Sequence, residues 1–181
     1  MAFTIVSTHL DGIVVLQPQR HDDNRGWFIE SFREDQLRDL GIATDFVQDN
    51  HSHSRRDVIR GLHYTVGQPM GKLLRVVRGA IQLVELDVRS SSPTFGKHVT
   101  LDVNEENQHI VWIPPGFANG FCIVSDAADV LYRCTHVYNP VNERCINALD
   151  PVLAIPWKAA TPILSGKDEA APGLKDAVDV L

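Results

Sequence analysis

The chain has 181 residues, 44% of them apolar and 22% charged, proportions of a folded soluble protein that exclude disorder or a collagen-like repeat as the main state. Seventeen Lys and Arg against 23 Asp and Glu leave a net charge of -6, which speaks against coating a nucleic acid. The length suits one domain with a sizeable core, so residues 1–181 are expected to form a single unit. No apolar run reaches the length of about 18 residues that a membrane span needs, and the N-terminal MAFTIVSTHLDGIVVLQPQ is broken at Ser7, Thr8 and His9 without a basic start. Neither membrane insertion nor export is therefore expected. Cys122, Cys134 and Cys145 are odd in number and lack CxxC spacing, which points to free thiols and a cytoplasmic location.

Short runs of β-branched and aromatic residues separated by turn residues predict strands over Gly12–Leu16, Trp27–Phe32, Asp45–Val47, Val58–Tyr64, Lys72–Val77, Ala80–Val88, His98–Val103, His109–Ile113, Gly120–Val124 and Val130–Val137. A helix is predicted over Arg33–Leu40, stopped by Gly41. Arg78-Gly79 reads as a hairpin turn, because glycine accepts the positive φ that such turns require. From about Pro151 the chain is expected to be a loop-rich tail with short helices. So many short strands fit a mainly β double-sheet jelly roll enclosing a ligand cavity. Polar residues on the same strand parity as core residues are then the candidates for cavity groups.

Six residues in four stretches of the chain are candidates for chemistry on these grounds. Arg60 and His63 bracket Gly-Leu, and strand alternation alone sets them on opposite faces unless Gly61 marks a bulge. Lys72 opens the apolar LLRVV run, either as a solvated strand start or as a cation aimed inward to stabilise negative charge. Tyr132 and Tyr138 share a parity and read either as core aromatics or as cavity hydroxyls. Asp168, in LSGKDEAAP, has the sequence context of a surface turn. His51, His53 and His63 resemble the His-x-His of metal-binding cupins, but Asn119 stands where a further ligand would be, and no metal is expected. The absence of GxSxG and of a Gly-rich phosphate loop leaves acid/base work in an apolar cavity.

Taken in order, DNRGWFIESF, FVQDNHSHS, IRGLHY, GKLLRVVRG, LDVRSSSPTFGK, WIPPGFANGF, LYRCTHVYNP and LSGKDEAAP resemble the dTDP-4-dehydrorhamnose 3,5-epimerase family, cofactor-independent cupins acting on nucleotide-linked 4-keto sugars. The resemblance implies a cupin-type double-stranded β-helix and no cofactor. It implies His63 as base, Asp168 as the carboxylate orienting it, Lys72 as the cation at the enolate oxygen, and Tyr132 as the acid on the opposite face. It further implies that Arg25, Arg60 and Lys167 meet the diphosphate, that Glu30, Gln48, Asn50 and Glu143 bond the nucleotide or sugar, and that Phe28 and Tyr138 stack on the base. The expected partners are a nucleotide-diphosphate sugar and a second copy of the chain, in a homodimer with exchanged N-terminal strands, with no nucleic acid and no membrane.

The family usually has GFAHGF, and this chain has Asn119 in place of that His. Asn keeps a donor and an acceptor but cannot titrate near neutral pH. The substitution leaves open a relative acting at C3 or C5 only, or on a CDP- or GDP-linked sugar. An isomerase that moves a keto group between adjacent carbons and a non-catalytic sugar-nucleotide-binding cupin are the remaining alternatives.

Overall fold

Among residues 2–177, which the computed structural model describes, the strands are β1 (Phe3–His9), β2 (Ile13–Pro18), β3 (Arg20–Asp23), β4 (Gly26–Ile29), β5 (Gln48–Arg55), β6 (Ile59–Thr65), β7 (Lys72–Arg78), β8 (Ala80–Asp87), β9 (His98–Asn104), β10 (Ile110–Ile113), β11 (Phe117–Ile123), β12 (Ala127–Cys134) and β13 (Glu143–Cys145). Two short helices, α1 (Glu34–Asp39) and α2 (Gly166–Glu169), interrupt them. One sheet runs β1-β2-β10-β7-β12-β5, the second runs β13-β6-β11-β8-β9, and β3 and β4 form a separate ribbon. Every named strand pairing is antiparallel. This is the expected jelly roll, and no helix among the described residues is long and apolar enough to cross a membrane.

The core is layered because the central strands are apolar on both faces. Ile13, Leu74, Val76 and Val130 of the six-stranded sheet pack against Ile81, Leu83, Phe121 and Ile123 of the five-stranded one. The outer face of the five-stranded sheet, with Ile59, Leu62, Val84 and Leu86, is covered by the tail through Ile146, Ala148 and Leu153. The outer face of the six-stranded sheet is covered around Leu16, Leu73 and Trp112 by Leu37 of α1 and by Ile42. With both faces covered, β8 has buried residues at all but its first position, so its pattern is a run instead of an alternation.

The predicted limits of β6, β7, β8, β9, β10 and α1 are met to within a residue or so. Elsewhere the structure corrects them. The run at Asp45–Val47 only leads into β5, which begins at Gln48, and β4 occupies Gly26–Ile29 instead of extending to Phe32. β12 ends at Cys134, so Tyr138 lies beyond it and shares no strand face with Tyr132. β1, β3 and β13 were not predicted; β1 is half exposed, β3 is exposed throughout and β13 is three residues long.

At the end of β8, Asp87 is fully buried and meets a ring of donors. The Arg89 backbone N–H, Nε and Nη2 donate at 3.0, 2.9 and 2.7 Å, and the Ser92 and Thr94 hydroxyls each donate at 2.6 Å. Burial pushes its carboxyl upward, but these donors together outweigh it and hold the group well below the usual carboxylate range. The LDVRSSSPTFGK segment is thus a loop organised around one carboxylate.

Candidate active site

A cavity of about 280 Å³ opens between the sheets where the inward residues turn polar. On β5, Gln48 and Asn50 line it; on β7, Lys72 precedes the core positions Leu74 and Val76 on the same parity; on β12, Tyr132 follows Val130. The five-stranded sheet supplies His63 and Asn119. An adjoining recess shares His63, Lys72, Asn119 and Tyr132 and adds Arg60 and Lys167.

The question that strand parity left open at Arg60 and His63 is resolved by a bulge. On β11, Asn119 and Phe121 are two residues apart, whereas their partners His63 and Arg60 on β6 are three apart. The extra residue turns both side chains to the same lining. Gly61, with φ +116, sits in the bulge, and a Cβ there would lie 2.6 Å from the Asn119 carbonyl oxygen. Arg60 Nε donates to Ser54 Oγ at 3.0 Å, which anchors the guanidinium against β5.

His63 Nε2 meets Asp168 Oδ1 at 2.7 Å. Asp168 stands on α2, whose first turn is capped by Ser165, the hydroxyl accepting the Asp168 N–H at 3.2 Å. Despite its turn-like sequence context, Asp168 is 3% exposed. Burial pushes its carboxyl up, but the contacts to His63, the Ser165 cap and the Cys145 thiol at 3.5 Å bring it below its ordinary value. An ionised carboxylate can only accept, so Nε2 carries the proton and Nδ1 is the basic nitrogen of the ring.

Lys72 reaches across from the other sheet. Its Nζ donates to Asn119 Oδ1 at 3.1 Å and lies 5.9 Å from the centre of the Tyr132 ring. Protein encloses the ammonium except where it meets the cavity, and this desolvation lowers its pKa against the pull of Glu85, Cys134 and Glu143. Burial raises the Tyr132 phenol, which is therefore a neutral O–H at physiological pH. Tyr132 and His63 belong to opposing sheets, so they face the cavity from its two sides.

Toward the rim, Tyr138 Oη donates to Glu143 Oε2 at 2.9 Å, and Lys167 pairs with the same oxygen. Gln48 accepts the Tyr138 N–H at 2.7 Å and donates to Asn50 at 2.9 Å. These predicted binding residues are brought together. Arg25, Phe28 and Glu30 are not: Arg25 and Phe28 lie on the exposed β3–β4 ribbon, with Arg25 bound to Asp23 and Phe28 63% exposed, and Glu30 pairs with Arg33. Within one chain they form no part of the cavity wall.

His51 and His53 occupy the exposed positions of β5, both bonded to Asp129, and do not join His63. His63, Cys145 and Asp168 hold donor atoms within 4.8 Å of one another. The Cys145 thiol, however, is pushed by burial and by Asp168 up to about 12, and the His–Asp contact is already a hydrogen bond. That donor set suits a dyad better than a metal, which needs a thiolate.

Sequence reasoning missed Glu85, which is completely buried and accepts from Asn119 Nδ2 at 2.6 Å. The signal was present: Glu85 shares the parity of Ile81 and Leu83 on β8. Cys145 was also missed, since β13 is too short to register as a strand.

This geometry defines a cupin-type cavity in which a His–Asp dyad and a tyrosine hydroxyl face each other beside a buried lysine. The dTDP-4-dehydrorhamnose 3,5-epimerase family matches residues 7–176, and the chain belongs to that family. It is 44% identical over 92% of its length to the dTDP-4-dehydrorhamnose 3,5-epimerase of Neisseria gonorrhoeae, and the match spans about half (51%) of that relative. It is 41% identical to the enzyme of the same name from Shigella flexneri, over 91% of this chain and 92% of the relative. The crystal structure of dTDP-6-deoxy-D-glucose-3,5-epimerase from Legionella pneumophila Philadelphia 1, in complex with dTDP-4-keto-L-rhamnose, superposes with a TM-score of 0.92 at 43% identity, covering 96% of this chain and 93% of that one.

Proposed function

We propose that this chain is a cytoplasmic single-domain enzyme that inverts C3 and C5 of a dTDP-linked 4-keto-6-deoxyhexose. The observation that carries the reading is the His63–Asp168 dyad, its histidine on one sheet, facing Tyr132 on the other, with Lys72 between. The C4 carbonyl acidifies the hydrogens on both neighbouring carbons. His63 Nδ1 takes one as a proton, and Asp168 steadies the imidazolium that forms. The electron pair of the broken C–H bond moves to the carbonyl oxygen, where the Lys72 ammonium meets the enolate charge. Tyr132 then delivers its phenolic proton to the opposite face of the carbon, and the centre is inverted. The step is redox-neutral, so a base, an acid and a cation are sufficient.

Arg60 and Lys167 are assigned to the diphosphate, whose oxygens suit a guanidinium fork, and Gln48, Asn50, Tyr138 and Glu143 to the sugar and nucleotide. The exposed ribbon with Arg25, Phe28 and nearby Glu30 is assigned to the site of a second copy, in a homodimer with exchanged N-terminal strands. Its exposed Trp27 and Phe28 favour that placement over an open edge.

The test is NMR of dTDP-4-keto-6-deoxyglucose in deuterated water with the wild type and with His63→Ala. Deuterium at both C3 and C5 in the wild type alone supports the reading. Deuterium at C3 only assigns a single-centre reaction, and no exchange with dTDP-, CDP- or GDP-linked sugars removes the enzyme reading.

A further inference from the structure

Glu85 and Asn119 are direct register partners on β8 and β11, both facing the inter-sheet space. The Asn119 amide is used at both ends: Nδ2 donates to Glu85 Oε1 at 2.6 Å, and Oδ1 accepts from Lys72 Nζ at 3.1 Å. A carboxylate on one side and an ammonium on the other fix which way the amide points. Glu85 has no exposed surface, and its second oxygen, Oε2, has no hydrogen-bond partner among the described residues. A packed apolar residue in this place would normally stabilise the fold as well or better, so the orphaned oxygen asks for a functional cause.

We propose that Glu85 is a positioning residue for Lys72, holding the ammonium at the cavity wall through Asn119 and supplying the negative charge that keeps it a cation there. The assignment deepens the epimerase reading and rests on it for the role of that cation at the enolate oxygen.

The other groups facing Lys72 do not supply that charge. On β12 the Cys134 thiol and the Tyr132 phenol are both raised by burial and stay protonated. On β13, Glu143 is already shared by Lys167 and Tyr138, and on β6, His63 is committed to Asp168. Asn119 on β11 is neutral. Among the described residues, Glu85 is the carboxylate near Lys72 without a cation of its own. Burial draws the pair toward its neutral forms, raising Glu85 and lowering Lys72, while their mutual attraction opposes this. Removing either member therefore shifts the other further toward its neutral form.

The experiment is a ¹⁵N NMR titration of the Lys72 Nζ in the wild type and in Glu85→Gln, with Lys72→Met giving the assignment, beside steady-state kinetics of both chains. In Glu85→Gln, Lys72 is expected to lose its proton at a pH lower by about one unit or more. The variant's kcat should fall about tenfold or more with KM nearly unchanged, because the interaction matters most once charge has developed. Adding Asn119→Asp to Glu85→Gln returns a carboxylate to the ammonium and should restore both readouts in part. An unchanged Lys72 titration, or an unchanged kcat, overturns the assignment. If Glu85→Gln does not fold, the wild type alone decides: an Nζ signal of a neutral amine at neutral pH overturns the proposal, and an ammonium signal supports it. The titration needs no substrate, so an inactive wild type would remove the epimerase reading while the coupling within the pair could still be measured.

Discussion

Glu85 and Asp87 stand at neighbouring inward positions of β8, both without exposed surface, and the fold treats them in opposite ways. Asp87 is ringed by Arg89, Ser92 and Thr94, and its carboxyl lies far below the usual range. Glu85 has one donor, an oxygen with no partner among the described residues, and a carboxyl raised well above its ordinary value by burial. A buried carboxylate saturated with donors organises a loop and has no capacity left for chemistry. One left short of donors beside a lysine costs stability and is placed for what the lysine does. The same contrast separates the loop after β8 from the whole cavity, where polar groups are held but not saturated.

Mutations on the two sides should separate stability from turnover. His63→Ala, on the cavity side, should lower kcat by about 10²–10⁴-fold and cost about 1–3 kcal/mol in urea unfolding, because the buried Asp168 loses its partner but keeps the Ser165 cap. Asp87→Ala should cost more, about 3–5 kcal/mol in urea unfolding because Arg89 is left without its partner, with the folded fraction retaining its turnover number. A large loss of kcat per folded molecule in Asp87→Ala would erase the distinction.

Acid sharpens it further. Because the Asp87 carboxyl is lower in the fold than in the unfolded chain, its contribution is fully present above the unfolded value of about 3.9 and is lost as pH falls through the lower folded value. Stability from urea midpoints should therefore fall steeply below about pH 4 in the wild type and much less in Asp87→Asn. The smallest effect is expected at Ser165→Ala. Losing the cap of α2 should cost about 1 kcal/mol, and kcat should fall by less than in Asp168→Asn, since the cap only steadies the carboxylate.

What could be read from the sequence follows the same division. Strands covered on both faces announced themselves as apolar runs, and β7 and β8 were bounded closely. β5, reading QDNHSHSR, was missed because one face lines a polar cavity and the other meets solvent, so hydrophobic periodicity has nothing to register. Likeness to a family supplied the roles of His63, Lys72, Tyr132 and Asp168, whereas the residues alone left the direction of Lys72 undecided and gave Asp168 the look of a surface turn, though it is buried. Both depend on contacts across long chain separations, between β7 and β11 and between β6 and the tail. Glu85 needed no such contact: the parity rule, applied to β8, already singled it out.

The tail that covers the outer face of the five-stranded sheet also delivers Asp168. It is tied down by the Val58–Ile163 bridge, by Gln82 donating to the Pro156 carbonyl at 2.9 Å, and by the Asn147 N–H to the Pro172 carbonyl at 2.8 Å. His63 therefore acquires its carboxylate only when a stretch of chain 105 positions later in sequence has docked. Turnover becomes a report on the completeness of the molecule: a chain whose barrel has closed but whose last segment has come away, or been clipped by a protease, carries every cavity side chain of the strands and falls silent.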